Sequence, residues 1–467
     1  MKSKPLLTAR PGSGRRAGRE DDETATGAAS EPSAADSLMR RHDRVTQAEV
    51  RYETDVSDYD YSSFYYSSGQ DPFAILEPFE EWYDRARADG YYLYAQPMST
   101  PPQPHVIVED QLGGGRLDLL NFASYNYLGL SYRPEVVAAA SAALATYGLG
   151  AAGSPILSGT MSVHDELEQE LARFKNKEAA LVFPTGYSTN VGLIQGLMRP
   201  GDWIIADQNA HASIVDGAIL SKANIKFFKH NRPEDLDRKL SGTTGKKLVI
   251  IEGVYSMDGD VCRLPEIVEV SKRHGARIAI DEAHSTFVYG KTGRGVVEHF
   301  GLEEEIDIHV GTFSKALGGQ GGYVAGSHRL YKYLKGFARS RFFSCALSPV
   351  VAAGVLESLA IVQREPELRQ RLWENVRYTS EQMARYAIDT GESTSHVVPV
   401  MIRNDRRIMH IARRLQQSGL YLQPIIYPAV AKHRSRFRMS ISAAHTRDHI
   451  DEAVAILVRV LRQESVL

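Results

Sequence analysis

Short, mostly apolar segments alternate with helical segments through the middle of this 467-residue chain. The helical segments include residues 164–177, 186–198 and 264–274, where apolar residues recur at helical spacing. The candidate strands lie at 180–183, 203–206, 225–228, 248–252, 277–281, 306–311 and 323–325. Strands that are apolar on both faces and connected through helices form parallel sheets covered by helices on both sides. The pattern therefore predicts an α/β fold with a mainly parallel central sheet.

A smaller domain is predicted after this sheet. A long helical stretch follows Ser348, and shorter segments of mixed type come after it. These elements are expected at 349–389, 397–402, 408–418, 437–442 and 446–462. We therefore expect a large α/β domain over residues 121–347 and a smaller C-terminal α+β domain over residues 348–467.

The sequence before residue 121 is of two kinds. Residues 1–55 are mostly polar and small, and such a composition buries too little apolar surface to offset its ordering entropy, so a disordered tail is predicted. Residues 56–120 are expected to pack on the smaller domain or on a partner subunit. An amphipathic helix is predicted over 72–88. The residues expected on its apolar side are Phe73, Leu76, Phe79, Trp82 and Tyr83.

Composition excludes several classes of function. A formal net charge of −2 gives no basic surface for nucleic acid. The chain has no uninterrupted apolar stretch long enough to span a bilayer, although contact with a membrane surface is left open. Its two cysteines, Cys262 and Cys345, are too few for a disulfide framework or a cysteine-rich zinc site. These features favour a cytoplasmic protein.

Lys315 lies in the segment GTFSKALGG, 34 positions after Asp281. A lysine bonds readily to an aldehyde when burial or nearby positive charge lowers its pKa, and pyridoxal phosphate also needs a carboxylate at its ring nitrogen. Lys315 and Asp281 fit these two requirements. Taken singly, each residue also fits a plain structural role, as a surface lysine or as the acid that ends a strand.

Other polar residues follow the ends of neighbouring strands. Gly186 opens a helix whose free N–H groups suit an anion, although an ordinary turn capped by Thr185 fits as well. His211 begins another helix and fits either a cofactor contact or a capping role. Ser256 and His284 also follow strands. Because strand ends of an open α/β sheet meet at the ligand crevice, their shared placement indicates a binding site.

A metal site is the competing interpretation of Asp281 and His284, since Asp-x-x-His presents two ligands from one turn. That interpretation leaves Lys315 and the anion-binding turn without a role, so no metal is predicted. The chain also lacks a Walker or GxGxxG sequence, which disfavours nucleotide binding.

Eight segments, spread in order over about residues 75–460, carry a family resemblance. They are NFASYNYLGL, GSPILSGTMSVHDELE, FPTGYSTN, DQNAHASIVDG, EGVYSMDGD, DEAH, GTFSKALGG and RFRMSISAAHT. Together they resemble the α-oxoamine synthases, fold-type I pyridoxal phosphate enzymes that condense an amino acid with an acyl thioester and release carbon dioxide. The sequences SYNYLG and YSM are most similar to the serine palmitoyltransferase branch.

The resemblance implies a set of cofactor contacts. Lys315 matches the lysine that bonds to the aldehyde and later moves the Cα proton, and Asp281 matches the partner of the ring nitrogen. His211 matches the histidine stacked on the ring, while His284 and Ser256 match groups near the ring oxygen. Lys315, Asp281, His211 and His284 are the implied catalytic residues. The implied phosphate contacts are Gly186, Tyr187, Thr312 and, from a neighbouring subunit, Ser344.

The resemblance also implies the substrates. Arg438 matches the arginine that grips the amino-acid carboxylate, and Tyr125, Asn126 and His164 fall at substrate-side positions. The implied reaction joins an L-amino acid, with serine as the best match, to an acyl group carried by coenzyme A or an acyl-carrier protein. An α-amino ketone and carbon dioxide are the products, which fits sphingolipid biosynthesis. A homodimer with active sites at the subunit interface is implied as well.

Several alternatives stay open. Within the family they are 8-amino-7-oxononanoate synthase activity, glycine C-acetyltransferase activity and an amino-ketone-forming step of secondary metabolism. Another fold-type I activity would be that of an aminotransferase or aldolase. A non-catalytic partner subunit belongs to a different class, and such a subunit is expected to lack the lysine that Lys315 matches.

Overall fold

The computed structural model describes residues 55–66 and 70–467. The disordered tail predicted for residues 1–55 lies outside this part of the chain, apart from Asp55. The first helix and the first two strands are α1 (Leu76–Ala88), β1 (His105–Glu109) and β2 (Arg116–Asn121). β1 and β2 pair antiparallel.

Helix α1 packs through one edge against two short 3-10 turns, Val56–Asp58 and Tyr61–Phe64. Trp82 is buried there and donates from Nε1 to the carbonyl oxygen of Val56 at 3.0 Å. The predicted apolar side is wrong at its start, because Phe73 is 70% exposed and Leu76 is 55% exposed. Within the described residues, the small aromatic cluster that packs on this helix includes neither Phe73 nor Leu76.

Two helices, α2 (Pro134–Tyr147) and α3 (Ser162–Phe174), lead into the central sheet. Each of its seven strands overlaps one of the seven predicted strand segments, although β8 begins two residues later than predicted. They are β3 (Ala179–Phe183), β4 (Trp203–Asp207), β5 (Asn224–Phe228), β6 (Lys247–Glu252), β7 (Arg277–Asp281), β8 (Ile308–Thr312) and β9 (Gly322–Gly326). The order across the sheet is β3-β9-β8-β7-β6-β4-β5, and only β9 runs antiparallel to its neighbours.

Both faces of this sheet are buried. Neighbouring residues of one strand belong to separate apolar clusters, as Ile204 and Ile205 do in β4. Successive side chains of a strand point to opposite faces, so the two clusters lie on the two sides of the sheet. The intervening helices are α4 (Gly186–Leu197), α5 (Ala212–Ser221), α6 (Pro233–Ser241), α7 (Leu264–Arg273), α8 (Val296–His299), α9 (His328–Phe337) and α10 (Arg339–Phe342). The predicted α/β fold with a mainly parallel central sheet is confirmed.

The C-terminal part begins with α11 (Pro349–Arg364) and α12 (Glu367–Arg385), which divide the single helical stretch that the sequence predicts. The division falls at Pro366, whose ring lacks the N–H that a continuous helix needs. The remaining elements are β10 (Val397–Met401), α13 (Asp405–Gln417), β11 (Leu420–Tyr421), β12 (Gln423–Ile425), β13 (Arg436–Ser440) and α14 (Arg447–Gln463). Strands β10, β13 and β12 form an antiparallel sheet.

The two ends of the described chain share a second small sheet. Strand β11 pairs parallel with β2, so that Leu420 lies opposite Leu120. This pairing brings the loop after β2 beside β12 and β13, and that loop carries Tyr125 and Asn126. The division of the chain into domains stays a prediction. Among the described helices, none is both long and apolar enough to cross a membrane.

Candidate active site

Polar side chains gather where the parallel strands end. Glu252, Asp281 and Thr312 are the last residues of β6, β7 and β8, and all three are buried. Glu252 and Asp281 lie directly opposite each other in the strand pairing. The carboxyl ends of an open α/β sheet form the usual ligand crevice, and several of the residues predicted from the sequence end or follow these strands.

Lys315 lies just beyond β8, with its ammonium 4.1 Å from the centroid of the Tyr125 ring. The guanidinium carbon of Arg438 lies 4.3 Å from the same centroid. Burial lowers the pKa of Lys315, although the charges of Asp281 and Glu252 act in the opposite direction. A lysine with a lowered pKa has more of the neutral amine that attacks an aldehyde.

Asp281 is connected to His211 through two intermediate side chains. The amide of Asn190 donates to Asp281 Oδ2 at 2.7 Å and to Ser213 Oγ at 3.0 Å. The Ser213 hydroxyl in turn lies 2.8 Å from His211 Nδ1. Because the backbone N–H of Ser213 also points at Nδ1, that nitrogen accepts and the ring proton resides on Nε2. His211 thus caps α5 through Nδ1.

His284 lies in the turn after β7, and its Nδ1 is 2.7 Å from the hydroxyl of Tyr127. Burial lowers the pKa of His284 far below its ordinary value, and the charge of Lys315 acts in the same direction. The imidazole is therefore neutral at physiological pH. Ser256 is half-buried in the turn after β6, and its hydroxyl makes no hydrogen bond to any residue of 55–66 or 70–467.

The turn that opens α4 combines a helix N-terminus with close backbone packing. Thr185 caps the helix by accepting from the N–H of Ser188 at 2.9 Å. A Cβ on Gly186 would lie 2.9 Å from Thr312 Oγ1, so only glycine leaves this space open. Tyr187 is half-exposed beside it and donates to Asp216. The three predicted phosphate contacts of this subunit are therefore adjacent.

A cavity of about 360 Å³ lies between the loop after β2 and strand β13. Tyr125, Asn126 and Arg438 line it, together with Ser314, the neighbour of Lys315. Arg438 is buried, and burial lowers its pKa to about 10. No described carboxylate pairs with it, and its Nε has no hydrogen-bond partner within the described residues. A buried guanidinium without a counter-ion is a site for an anionic ligand.

Two predicted residues stand apart from this cavity. His164 accepts from the N–H of Met161 at 3.0 Å, and its Nε2 lies 2.7 Å from the Leu347 carbonyl oxygen. Both ring nitrogens are thereby occupied in joining α3 to the segment before α11. Ser344 lies after α10, half-buried, and its hydroxyl donates to the Cys345 carbonyl. Neither residue lines the cavity.

Four residues of the site escaped the sequence reasoning. Asn190 and Ser213 connect Asp281 with His211, Tyr127 bonds to His284, and Glu252 accepts from the N–H of His211 at 2.6 Å. All four lie within segments that carry the family resemblance. The sequence showed only that each is a polar residue within a segment of the family resemblance. Their partners are distant in sequence, and only the fold brings them together.

The comparisons with known proteins agree with this geometry. The family model for aminotransferases of class I and II matches residues 118–457. The chain belongs to that family. An 8-amino-7-oxononanoate synthase from Symbiobacterium thermophilum is 41% identical over 377 residues, which are 80% of this chain and 95% of that protein. A serine palmitoyltransferase from Sphingobacterium spiritivorum is 39% identical over 385 residues, which are 82% of this chain and 95% of that one.

A solved structure gives the same answer. The serine palmitoyltransferase from S. paucimobilis with bound PLP-myriocin aldimine superimposes with a TM-score of 0.81 at 34% identity, covering 85% of this chain and 100% of that one. The predicted membership in the α-oxoamine synthases, close to serine palmitoyltransferase, is confirmed. The protein is a pyridoxal phosphate-dependent acyltransferase of fold type I, and its reaction class is the decarboxylative condensation of an amino acid with an acyl thioester.

The residues present fit the cofactor. Pyridoxal phosphate needs an amine with a lowered pKa, a carboxylate for its ring nitrogen and N–H groups for its phosphate. Lys315, Asp281 and the Gly186 turn are the candidates for these three tasks, and all lie at one edge of the central sheet. The Cβ-free space at Gly186 is the kind of close approach that a phosphate requires.

Proposed function

We propose that this enzyme condenses L-serine with a long-chain acyl thioester, releasing carbon dioxide and an α-amino ketone for sphingolipid biosynthesis. The observation that carries the substrate side is Arg438, a buried guanidinium without a described counter-ion in a cavity of about 360 Å³ beside Lys315. The guanidinium suits the carboxylate of an amino acid. The similarity to serine palmitoyltransferases in sequence and in fold supports serine as the amino acid.

Each residue is proposed to have a defined task. Bound pyridoxal phosphate supplies an aldehyde that bonds to amines and a ring that takes up an electron pair from Cα. Asp281 holds the proton of the ring nitrogen, and Lys315 moves the proton at Cα. Arg438 grips the substrate carboxylate, and together with His211 it fixes the direction of the bond to be broken, which is catalysis by orientation. His284 and Ser256 are proposed contacts of the ring oxygen.

The remaining predicted residues surround these groups. Gly186, Tyr187 and Thr312 are the proposed phosphate contacts. Tyr125 and Asn126 line the cavity and are proposed to contact the substrate. His164 is proposed to position the substrate side of the site without contacting the substrate, because both of its ring nitrogens are already hydrogen-bonded within the protein. The acyl carrier is coenzyme A or an acyl-carrier protein, since both present the same thioester arm.

The enzyme is proposed to act as a homodimer. Leu149, Leu157 and Phe343 are 81%, 84% and 70% exposed. They lie on connected loops, because Ser348 donates to the Leu149 carbonyl at 2.8 Å and Ser154 donates to the Phe342 carbonyl at 2.6 Å. Exposed apolar surface of this kind marks an interface. Ser344 lies beside Phe343, which supports its proposed role at the active site of a partner subunit.

The proposed location is the cytoplasm. Cys262 and Cys345 are both free thiols, and the Cys262 thiol is buried. Free thiols persist in a reducing compartment.

A second candidate function is 8-amino-7-oxononanoate synthase activity, in which the amino acid is alanine. The observation in its favour is the 41% identity to the Symbiobacterium enzyme. The two candidates differ in the side chain of the amino acid, and therefore in a test that varies only that side chain.

The test uses the purified full-length protein loaded with pyridoxal phosphate. Serine, alanine and glycine are added in turn, and the visible absorbance of the bound cofactor is followed. Carbon dioxide release is then measured with each responding amino acid and a panel of acyl thioesters of different length. We expect a spectral response and carbon dioxide release with serine and a long acyl chain, and no carbon dioxide release in Lys315→Ala, which lacks the amine that moves the Cα proton. A response to alanine or glycine without one to serine would overturn the serine proposal.

A further inference from the structure

A buried ion pair lies directly behind the turn that carries Asp281 and His284. Lys175, the residue after α3, places its ammonium 2.6 Å from Glu282 Oε2. The two side chains are 1% and 0% exposed. No task proposed above involves either residue. Glu282 directly follows Asp281 in the chain, so the pair lies against the peptide that carries the proposed partner of the ring nitrogen.

Glu282 receives more donors than this one. His309 Nδ1 lies 3.2 Å from Oε2, while Ser285 Oγ and the Val297 N–H donate to Oε1, each at 3.2 Å. Burial lowers the pKa of His309 to about 4, so its ring is neutral and Nδ1 carries the proton that it donates. One carboxylate thus joins strand β8, helix α8 and the turn after β7.

Lys175 fastens the same region from the other side. Its ammonium also donates to the Arg294 carbonyl and to Thr286 Oγ1. A Cβ on Gly295 would collide with the carboxylate of Glu282, so the loop before α8 closes tightly over the pair. Burial acts to raise the pKa of Glu282, but the Lys175 charge and the His309 hydrogen bond outweigh it and lower the pKa to about 2. The pair is therefore ionic.

Stability alone is a weak reason to keep such a pair. Replacing a fully buried ion pair with well-packed apolar side chains is often neutral or stabilising, because the charges lose their hydration. The charges do restrict the orientation of the Glu282 side chain, since a buried carboxylate must stay within hydrogen-bonding distance of its donors.

The direction of Glu282 determines that of its neighbours. Successive side chains of an extended segment point to opposite sides, so Asp281 faces the crevice while Glu282 faces the core. The backbone N–H of Glu282 bonds to the Val310 carbonyl at 2.8 Å, which ties the same peptide to β8. His284 follows in the same turn. A shift of the Glu282 carboxylate therefore turns the peptide that carries Asp281 and displaces His284.

We propose that Glu282, held by Lys175 and His309, is a positioning residue that directs Asp281 and His284 toward the cofactor. This inference rests on the proposed cofactor contacts of those two residues. The buried pair would thus serve to orient the residues of the site rather than to stabilise the fold.

The test compares wild type with Glu282→Gln and with the double variant Lys175→Met/Glu282→Gln, which removes both charges at similar volume. Cofactor affinity is measured by titrating pyridoxal phosphate into the full-length protein, and the pH at which the visible absorbance changes is recorded. Outer-shell partners of a bound group typically change its affinity by about 10–100-fold. We expect both variants to bind the cofactor at least about tenfold more weakly and to shift that pH.

The matched control is Asp110→Asn. Asp110 is buried and receives both guanidinium nitrogens of Arg413, at 3.0 and 2.9 Å, between α13 and the β1–β2 turn. This variant is expected to lower the thermal midpoint and leave cofactor affinity unchanged. If the two Glu282 variants behave as Asp110→Asn does, with a lower midpoint and wild-type cofactor binding, the positioning role is overturned.

Two further outcomes are separable. Should Glu282→Gln not fold, His309→Leu decides, because leucine has no donor for Glu282 and the neutral ring that it replaces carries no charge. Weaker cofactor binding supports the proposal and unchanged binding overturns it. A wild-type protein that binds pyridoxal phosphate but condenses no amino acid with a thioester contradicts the proposed function alone. The positioning role is then still decided by the cofactor titration.

Discussion

The ammonium of Lys315 lies 4.1 Å from the centroid of the Tyr125 ring, within the range of a cation–π interaction. Arg438 lies on the same ring at 4.3 Å, so one aromatic side chain holds the proposed proton carrier and the proposed carboxylate grip. The face of the Tyr125 ring attracts both cationic groups, but it does not form an ion pair with either of them, as a carboxylate would. Both groups are thereby placed while remaining available to a substrate.

Substitution of Tyr125 separates this ring contact from the phenol. Tyr125→Leu removes the π face, and a cation–π contact contributes about 0.5–2 kcal/mol, so we expect amino-acid affinity to fall between about twofold and thirtyfold. Tyr125→Phe keeps the face and is expected to stay close to wild type. Amino-acid binding is measured through the cofactor absorbance. Equal losses in both variants would assign the effect to the hydroxyl instead.

Replacing Arg438 tests the carboxylate site. Arg438→Lys keeps a charge but loses the planar fork, and a hydrogen bond to a charged group contributes about 1.5–3 kcal/mol. We expect the dissociation constant of the amino acid to rise by about 10–150-fold, with cofactor affinity unchanged. Binding of an amino-acid amide, which lacks the carboxylate, should be insensitive to the change.

The control for Arg438 is Arg364→Lys. Arg364 is 47% exposed and pairs with Glu357 within α11, so it carries the same substitution far from the cavity. Wild-type amino-acid affinity is expected. Suppose instead that Arg364→Lys raises the dissociation constant of the amino acid as much as Arg438→Lys does. The effect would then come from the loss of a guanidinium group in general and not from the carboxylate site.

The central sheet was predictable because most of its strands are apolar along their length and are followed by a helix. The antiparallel direction of β9 was not predictable, since a short apolar segment has the same pattern in a parallel and in an antiparallel strand. The break at Pro366 was in the sequence, but helical periodicity on both sides of it indicated one helix. Phe73 was misplaced because periodicity gives an apolar side and not the extent of the surface that covers it.

The site was predictable where chemistry and position coincide, as at Lys315 and Asp281. Glu282 was not, although it lies in the conspicuous segment DEAH, because an acid after a strand is ordinarily expected at the surface. Only the fold brings Lys175, 107 positions away, to its carboxylate. Ser213 and Asn190 were not predicted for the same reason, since their side chains are hydrogen-bonded to each other only in the folded protein.

Gly186→Ala tests the phosphate turn. The added Cβ would lie 2.9 Å from Thr312 Oγ1, which forces one of two proposed phosphate contacts to move. We expect cofactor affinity to fall by about tenfold, as for the loss of one charge-assisted hydrogen bond. Titration of pyridoxal phosphate measures it, with thermal unfolding of the cofactor-free protein as the check on folding.

Gly336→Ala is the matched control for this glycine. Gly336 lies exposed in α9, and its added Cβ would meet no described atom within 4 Å beyond the adjacent backbone of its own helix. Alanine is favoured over glycine in a helix by about 1 kcal/mol, so this variant should unfold at a slightly higher temperature with cofactor affinity unchanged. Weaker cofactor binding in Gly336→Ala would show that the turn at Gly186 is not the cause.

His230 supplies a prediction about pH and stability. Its ring bonds to Asp207 at 2.9 Å and to Asp260 at 3.1 Å. Burial opposes its charge, but the two carboxylates outweigh burial and raise its pKa from 6.5 to about 10. The folded state therefore binds a proton that the unfolded chain releases above pH 6.5, so the stabilisation is complete below about pH 6.5 and is lost as the pH rises toward about 10.

The size of that contribution is at most about 5 kcal/mol, from about 1.4 kcal/mol for each pKa unit. Urea unfolding at pH 6 and pH 9.5 should show the wild type losing more stability over this interval than His230→Gln, which has no proton to lose at that position. The comparison between the two proteins cancels the contribution of every other titrating group, because both proteins carry the same set. Parallel stability curves would mean that His230 is neutral in the fold, and that Asp207 and Asp260 are held by their other donors, Tyr255 and Asn231.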